Sequence, residues 1–211
     1  MRILVTAGAT REPIDAVRFL SNTSTGTTGA ALADAWAHAG HAVVLLRGTG
    51  AVTPAGAVES ESFSSADDLR ARLARHLRNG TFDLVVMAAA VADYRPAETA
   101  IGKLPSAAEE LTLRLVRNPK LLPTLKTLAP NPVRVIGFKL TATADAGAQR
   151  AAVAAQFAAG GVDLVVHNDQ TDVRTAGPSH QTFQIFTDIQ RAPRVVTGTA
   201  ALAAALLPPS A

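Results

Sequence analysis

The sequence predicts an open, doubly wound α/β fold, and three observations carry that expectation. Five short apolar runs stand out: Ile3–Thr6, Ala42–Leu46, Leu84–Ala88, Val133–Phe138 and Leu164–His167. Continuous apolar runs of this length, most of them rich in Val and Ile, suit strands covered on both faces, as in a parallel sheet. Helix-like stretches lie between them. Turn residues bound each run, giving the strand–helix alternation of a doubly wound sheet.

Each element follows in order. Ile3–Thr6 runs into a long polar loop. Gly29–Ala39 has apolar and small residues all round and ends at Gly40, a residue suited to a left-handed C-terminal position. After the strand Ala42–Leu46, the cluster Ser64-Ser65-Ala66-Asp67-Asp68 supplies an N-cap and first-turn acids for a helix over Ser65–Leu77. Leu84–Ala88 is the next strand. From Tyr94 to Pro130 the rhythm breaks. There Leu111–Val116 alternates apolar and polar residues, as a half-exposed antiparallel strand would. Val133–Phe138, a helix over Ala146–Ala159 closed by Gly160-Gly161, and Leu164–His167 restore it. Thr182–Phe186 alternates again. These two alternating segments are expected as an excursion off the main sheet, suited to a dimerisation ribbon. The expected class is therefore α/β: a Rossmann-like, open, mostly parallel sheet with a small antiparallel strand and flap excursion. One domain over 1–211 is expected, with the flap and dimerisation segment at about 94–130.

Composition narrows the function. With 211 residues, 48% of them hydrophobic, the chain has enough apolar surface for one sizeable core. It has no cysteine, so disulfides, thiolate metal sites and a cysteine nucleophile are excluded. A net charge of +3 gives no ground for a nucleic-acid partner and serves a phosphorylated small substrate equally well. No apolar run approaches the ~20 residues of a membrane span. The opening Met1-Arg2-Ile3-Leu4-Val5-Thr6 does not read as a signal peptide. A cytoplasmic protein without membrane or nucleic-acid partners is expected.

The first loop carries the chemistry. It reads Thr6-Ala7-Gly8-Ala9-Thr10-Arg11-Glu12-Pro13-Ile14-Asp15, then Arg18-Phe19-Leu20-Ser21-Asn22-Thr23-Ser24-Thr25-Gly26-Thr27-Thr28-Gly29. A turn after the first strand that opens a helix is where α/β folds place phosphates. Gly26 and Gly29 let backbone approach an anion, and Ser24, Thr25, Thr27 and Thr28 add hydroxyl donors. The stretch from Gly8 to Gly26 is too long for a dinucleotide fingerprint. The second strand ends Leu45-Leu46-Arg47-Gly48, without an acid for a ribose hydroxyl. Both features oppose a dehydrogenase.

The whole string closely resembles the opening of the phosphopantothenoylcysteine synthetases (phosphopantothenate–cysteine ligases). The resemblance continues at Ala88-Ala89-Ala90-Val91-Ala92-Asp93-Tyr94, Lys103-Leu104, Leu111-Thr112-Leu113 and Val116-Arg117-Asn118-Pro119. It closes at Gly137-Phe138-Lys139 and Asp163-Leu164-Val165-Val166-His167-Asn168-Asp169. In bacteria this domain is often fused behind a flavin-dependent decarboxylase; with Met1 at the synthetase motif, the unfused form is expected. The resemblance implies a two-step ligation. The carboxylate of 4′-phosphopantothenate attacks the α-phosphate of CTP, and cysteine then captures the acyl-cytidylate. Mg²⁺ is expected on the triphosphate, ATP is a possible substitute for CTP, and a homodimer is implied.

The same resemblance assigns the residues. Asn22 and Lys103 are the catalytic pair: Asn22 holds the acyl intermediate for the second step, and Lys103, on a mobile flap, neutralises charge as pyrophosphate leaves. Gly8, Ser24, Gly26, Gly29, Asp93, Val116, Arg117, Asn118, Pro119 and Phe138 are implied at the nucleotide. Asn22, Ala89 and Ala90 are implied at the acyl substrate. No direct protein ligand to a metal is implied. Family lysines are missing where this chain has Thr27, Pro105, Ser106, Gln156 and Gly160; Arg150 or Lys139 could partly compensate. Those losses leave a second possibility, a diverged nucleotide-binding protein of the same fold without turnover.

Overall fold

The computed structural model describes residues 1–107, 109–171 and 180–208. In chain order its strands are β1 (Arg2–Ala7), β2 (Arg11–Pro13), β3 (Phe19–Ser21), β4 (Ala42–Gly48), β5 (Glu59–Phe63), β6 (Leu84–Met87), β7 (Tyr94–Pro96), β8 (Leu115–Arg117), β9 (Arg134–Thr141), β10 (Leu164–Asp169), β11 (Thr182–Phe186) and β12 (Arg194–Thr197). The helices are α1 (Thr27–His38), α2 (Ala66–Asn79), α3 (Leu125–Leu128), α4 (Ala146–Ala158) and α5 (Thr199–Leu206).

Eight strands form one sheet in the order β12-β11-β10-β9-β6-β1-β4-β5. From β5 to β10 the neighbours are all parallel. Numbered by their rank in the chain, these six strands run 3-2-1-4-5-6, the Rossmann order, and the order reverses between β1 and β6. The five apolar runs are all central strands of this sheet, as expected.

Alternate side chains of β1 point to opposite faces. Ile3, Val5 and Ala7 join Leu32, Trp36, Leu202 and Leu206 under α1 and α5. Leu4 joins Leu69, Leu73, Leu77 and Leu125 under α2 and α3. On α4, Val153 packs against Val165 and Phe186. The caps match their sequence signals. Ser65 accepts from Asp68 N at 3.2 Å to start α2, Asp145 accepts from Ala148 N at 2.8 Å to start α4, and Gly40 is left-handed with φ 84°.

Two expectations need correction. Thr182–Phe186 is not an excursion: as β11 it pairs antiparallel with β10 and extends the main sheet, with β12 outside it. Phe183, Ile185 and Phe186 are buried there, so the polar residues between them made a core strand look half-exposed. Of Leu111–Val116, only the end is a strand: β8 begins at Leu115 and pairs with β7 in a small separate hairpin. Among the described residues no strand pairs with Leu111 or Leu113, whose side chains are exposed.

Candidate active site

Past the ends of β1 and β6, at the point where strand order reverses, the two following loops stay joined. Ala90 N donates to Gly8 O at 2.8 Å, and Thr10 N donates to Ala90 O at 3.2 Å. Two buried threonine hydroxyls complete this seam: Ala89 N donates to Thr6 Oγ1 at 3.1 Å and Ala92 N to Thr10 Oγ1 at 3.0 Å. Gly8, Ala89 and Ala90 thus lie together at the C-terminal edge of the central strands.

The entry to α1 packs against the same place. Gly26 is left-handed, with φ 78°, and a Cβ there would stand 2.9 Å from Gly8 N. A Cβ on Gly29 would stand 2.6 Å from Ala7 Cβ and 3.0 Å from Thr6 O, so α1 lies directly on β1. This brings the positive end of a twelve-residue helix beside Gly8. Ser24 is half-buried in the approach to it. Thr27 has its hydroxyl 2.8 Å from that of Thr25.

The hairpin β2–β3 carries Asn22 to the seam. Ser21 Oγ donates to Thr10 O at 2.8 Å, and the exposed Asn22 has Nδ2 3.5 Å from Val91 O. The rest of the motif holds the hairpin in position. The buried carboxylate of Glu12 accepts from Ala66 N at 3.0 Å, at the start of α2. Asp15 closes the tip, with Oδ1 accepting from Val17 N at 2.9 Å and Arg18 N at 2.8 Å. Its Oδ2 accepts from Arg18 Nε at 2.9 Å and from Leu104 N at 3.0 Å. The Arg18 guanidinium holds the Asp15 carboxyl far below the usual carboxylate range; burial opposes this, and the backbone N–H groups add to it. Lys103 is exposed, between neighbours tethered to this tip.

The second hairpin gathers another group of candidates. Asn118 N donates to Asp93 O at 2.9 Å, and its buried amide donates to Ala92 O at 2.9 Å and accepts from Arg95 at 3.1 Å. Val116 and Arg117 pair with Arg95 and Tyr94 across β8–β7, and Pro119 follows at the surface. Asp93 is exposed and ion-paired to Lys120, a cation that no sequence signal singled out. Phe138 is half-buried at the other side of the sheet's edge and packs against the α1–α5 core. Gln156 reaches back from α4, with Nε2 3.5 Å from Phe138 O, and Gly160 is left-handed past the helix end.

At the ends of β9 and β10 stands a further polar cluster that sequence reasoning missed. Thr141 Oγ1 donates to Asp169 at 2.6 Å and lies 2.9 Å from His167 Nε2. The Thr141 hydroxyl, with the Thr171 N–H, keeps the Asp169 carboxyl well below its ordinary range. A half-open cavity of about 990 Å³ lies at the opposite edge of the sheet, among Met1, His41, Arg134, Arg191 and Arg194, and none of the candidate catalytic, nucleotide-binding or substrate-binding residues lines it. Among the described residues no group of three or more His, Asp or Glu is placed to hold a metal ion, and no helix is long and apolar enough to cross a membrane.

Residues 1–207 match the family described as the DNA/pantothenate metabolism flavoprotein C-terminal domain. The coenzyme A biosynthesis bifunctional protein CoaBC of Mycobacterium bovis is 43% identical over 145 residues, 65% of this chain and 34% of that protein. The chain therefore spans about a third of the length of that relative. Two solved structures share the fold. The DNA/pantothenate metabolism flavoprotein from Streptococcus pneumoniae has a TM-score of 0.85 at 22% identity, covering 98% of this chain and 96% of that one. The C-terminal domain of a coenzyme A biosynthesis bifunctional protein CoaBC has a TM-score of 0.74 at 26% identity, covering 97% and 91%.

Proposed function

We propose that this chain, which belongs to the DNA/pantothenate metabolism flavoprotein C-terminal domain family, is a ligase joining 4′-phosphopantothenate to cysteine in coenzyme A biosynthesis. The observation that carries the reading is the convergence of Asn22, Gly8, Ala89 and Ala90 on one seam at the switch point, with Asp93 and the Val116–Pro119 segment beside it. The relative of M. bovis is named for coenzyme A biosynthesis, which agrees with it.

In the first step a carboxylate oxygen of phosphopantothenate attacks the α-phosphorus of CTP, and pyrophosphate leaves. In the second the cysteine amine attacks the acyl carbon, an amide forms, and CMP and a proton leave. Little covalent work falls to the protein. Its task is to place anions together and offset their charge. The N-terminus of α1 and the N–H groups near Gly26 suit the phosphates. Lys103 suits the departing pyrophosphate, and the Asn22 amide suits the developing oxyanion as a donor that does not titrate. Mg²⁺ brought with the triphosphate would add charge neutralisation there. CTP is the proposed nucleotide, with ATP as the alternative.

The working form we propose is a cytoplasmic homodimer. Val17, Phe19, Ile101, Leu111, Leu113 and Leu115 are all exposed on the two hairpins and the segments leading to them, an apolar surface that a second copy would cover. Sedimentation at micromolar concentration tests this, and a monomer would contradict it. The function is tested by pyrophosphate release with CTP or ATP, phosphopantothenate and cysteine. Release that requires phosphopantothenate supports the ligase. Nucleotide binding without release gives the diverged binder instead.

A further inference from the structure

We propose that Asp15 is a positioning residue, which fixes where Lys103 stands relative to Asn22. The inference rests on the ligase reading for its kinetic consequence but on geometry for its substance. Asp15 accepts five hydrogen bonds, and its two oxygens divide the work. Oδ1 closes the local turn through Val17 N and Arg18 N, which is all that an Asx turn needs. Oδ2 does something a turn does not require. It accepts from Leu104 N, 89 residues away in the chain, and from both Nε and Nη2 of Arg18. Arg18 Nη2 in turn donates to Leu104 O at 2.9 Å, so Leu104 is gripped at both its N–H and its carbonyl.

The contact continues beyond Leu104. Ala16 N donates to Gly102 O at 3.1 Å, Ala100 N to Ile14 O at 3.0 Å, and Thr99 Oγ1 to Pro13 O at 3.2 Å. Residues 99–104 therefore lie along residues 13–18, and Lys103 sits between two held neighbours. The other end of this hairpin runs through β3 into Asn22. One arm carries both groups. A carboxylate with no exposed side-chain surface is costly unless every lone pair has a donor, and here each oxygen has more than one. The expectation of a freely mobile flap is thereby narrowed: the backbone of the Lys103 segment is fixed at this tip, and only the exposed lysine side chain is left to swing.

The test uses Asp15→Asn. One amide oxygen can keep the Oδ1 bonds, but the amide NH₂ then faces the Arg18 guanidinium and the Leu104 N–H, so the far contact is lost while the turn survives. Hydrogen exchange in peptides covering 102–106 should rise tenfold or more, with peptides of β1 and β6 unchanged. Pyrophosphate release should lose tenfold or more in kcat, since small misplacements of a catalytic group are costly. Combining it with Lys103→Gln should lose no more than Lys103→Gln alone, because both act through one ammonium. Should Asp15→Asn not fold, Arg18→Lys removes the guanidinium that donates both to Asp15 Oδ2 and to the Leu104 carbonyl while leaving the 99–106 sequence unchanged, and the same exchange comparison then decides the question. Unchanged exchange at 102–106, or losses that multiply in the double variant, overturns the proposal. If the wild type releases no pyrophosphate, the ligase reading fails, and the exchange comparison alone then decides the placement.

Discussion

The indole Nε1 of Trp36 donates to the backbone carbonyl of Ala203 at 3.0 Å, joining α1 to α5 across 167 residues of chain. Trp36 is fully buried, and α5 is an alanine-rich helix with little side-chain bulk of its own to grip the sheet. Trp36→Phe keeps an aromatic ring but leaves the Ala203 carbonyl without its donor. The expected cost is about 1–3 kcal/mol. It should appear as a lower urea midpoint at unchanged m-value.

Gly29→Ala sets two effects against each other. Alanine in place of helical glycine gains about 1 kcal/mol of propensity. The new methyl, however, meets Ala7 Cβ at 2.6 Å and the Thr6 carbonyl at 3.0 Å, both fixed by β1. Overpacking against backbone costs about 1–3 kcal/mol, so α1 must shift and the net effect is destabilising. A thermal midpoint equal to or above the wild type would contradict this.

Glu61 on the outer strand β5 should make stability acid-sensitive. Burial pushes its carboxyl up, but His76, Arg75 and Arg72 together hold it at about 2, below its ordinary 4.5. A carboxylate whose folded value is depressed stabilises fully above its unfolded value, and that contribution is lost as the pH falls from about 4.5 toward 2. Glu61→Gln should cost roughly 1 kcal/mol at neutral pH. Across that acid window it should also flatten the decline in denaturation midpoint. A variant that declines as steeply as the wild type would show that other groups set the slope.

Under the proposed ligase reading, Asn22 and Lys103 should separate the chemical steps. Asn22→Asp cannot donate to the oxyanion and repels it, so transfer to cysteine should slow by roughly a hundredfold to a thousandfold, the loss of ~2.7–4 kcal/mol. The acyl-nucleotidylate of the proposed first step should then accumulate. Lys103→Gln should slow its formation, leaving it scarce. Quenched reactions analysed by mass spectrometry check this, and equal amounts of intermediate in both variants would refute the division.

What the sequence disclosed followed from how loudly each residue's environment speaks locally. The five central strands were legible because both of their faces are buried, which leaves unbroken Val and Ile runs. β5, Glu-Ser-Glu-Ser-Phe, carries no such run, since only Phe63 is buried and the rest faces solvent or α2. The loops bearing Asn22 and Asp93 were legible only through the motif, because neither residue has a periodic or capping signature. Glu12 and Asp15 lay inside the quoted motif, yet their tasks were hidden: their partners Ala66 and Leu104 are 54 and 89 residues away. Lys120 gave no signal because an exposed lysine is ordinary until Asp93 is found beside it.

The seam between the loops after β1 and β6 has a consequence for how the protein folds. Its threonine hydroxyl bonds join residues 83 and 82 positions apart, so closing it requires β6 to be in register beside β1 first. Contacts of such separation carry the full loop-closure cost and tend to form late. Assembly of this edge then waits for β6 and the loop that follows it. A nascent polypeptide that has formed β1, α1 and β4 already has a helix N-terminus and its glycines, yet lacks the opposite wall. Ligand capture would reward only molecules that have closed this edge and would slow their unfolding more than it speeds their folding.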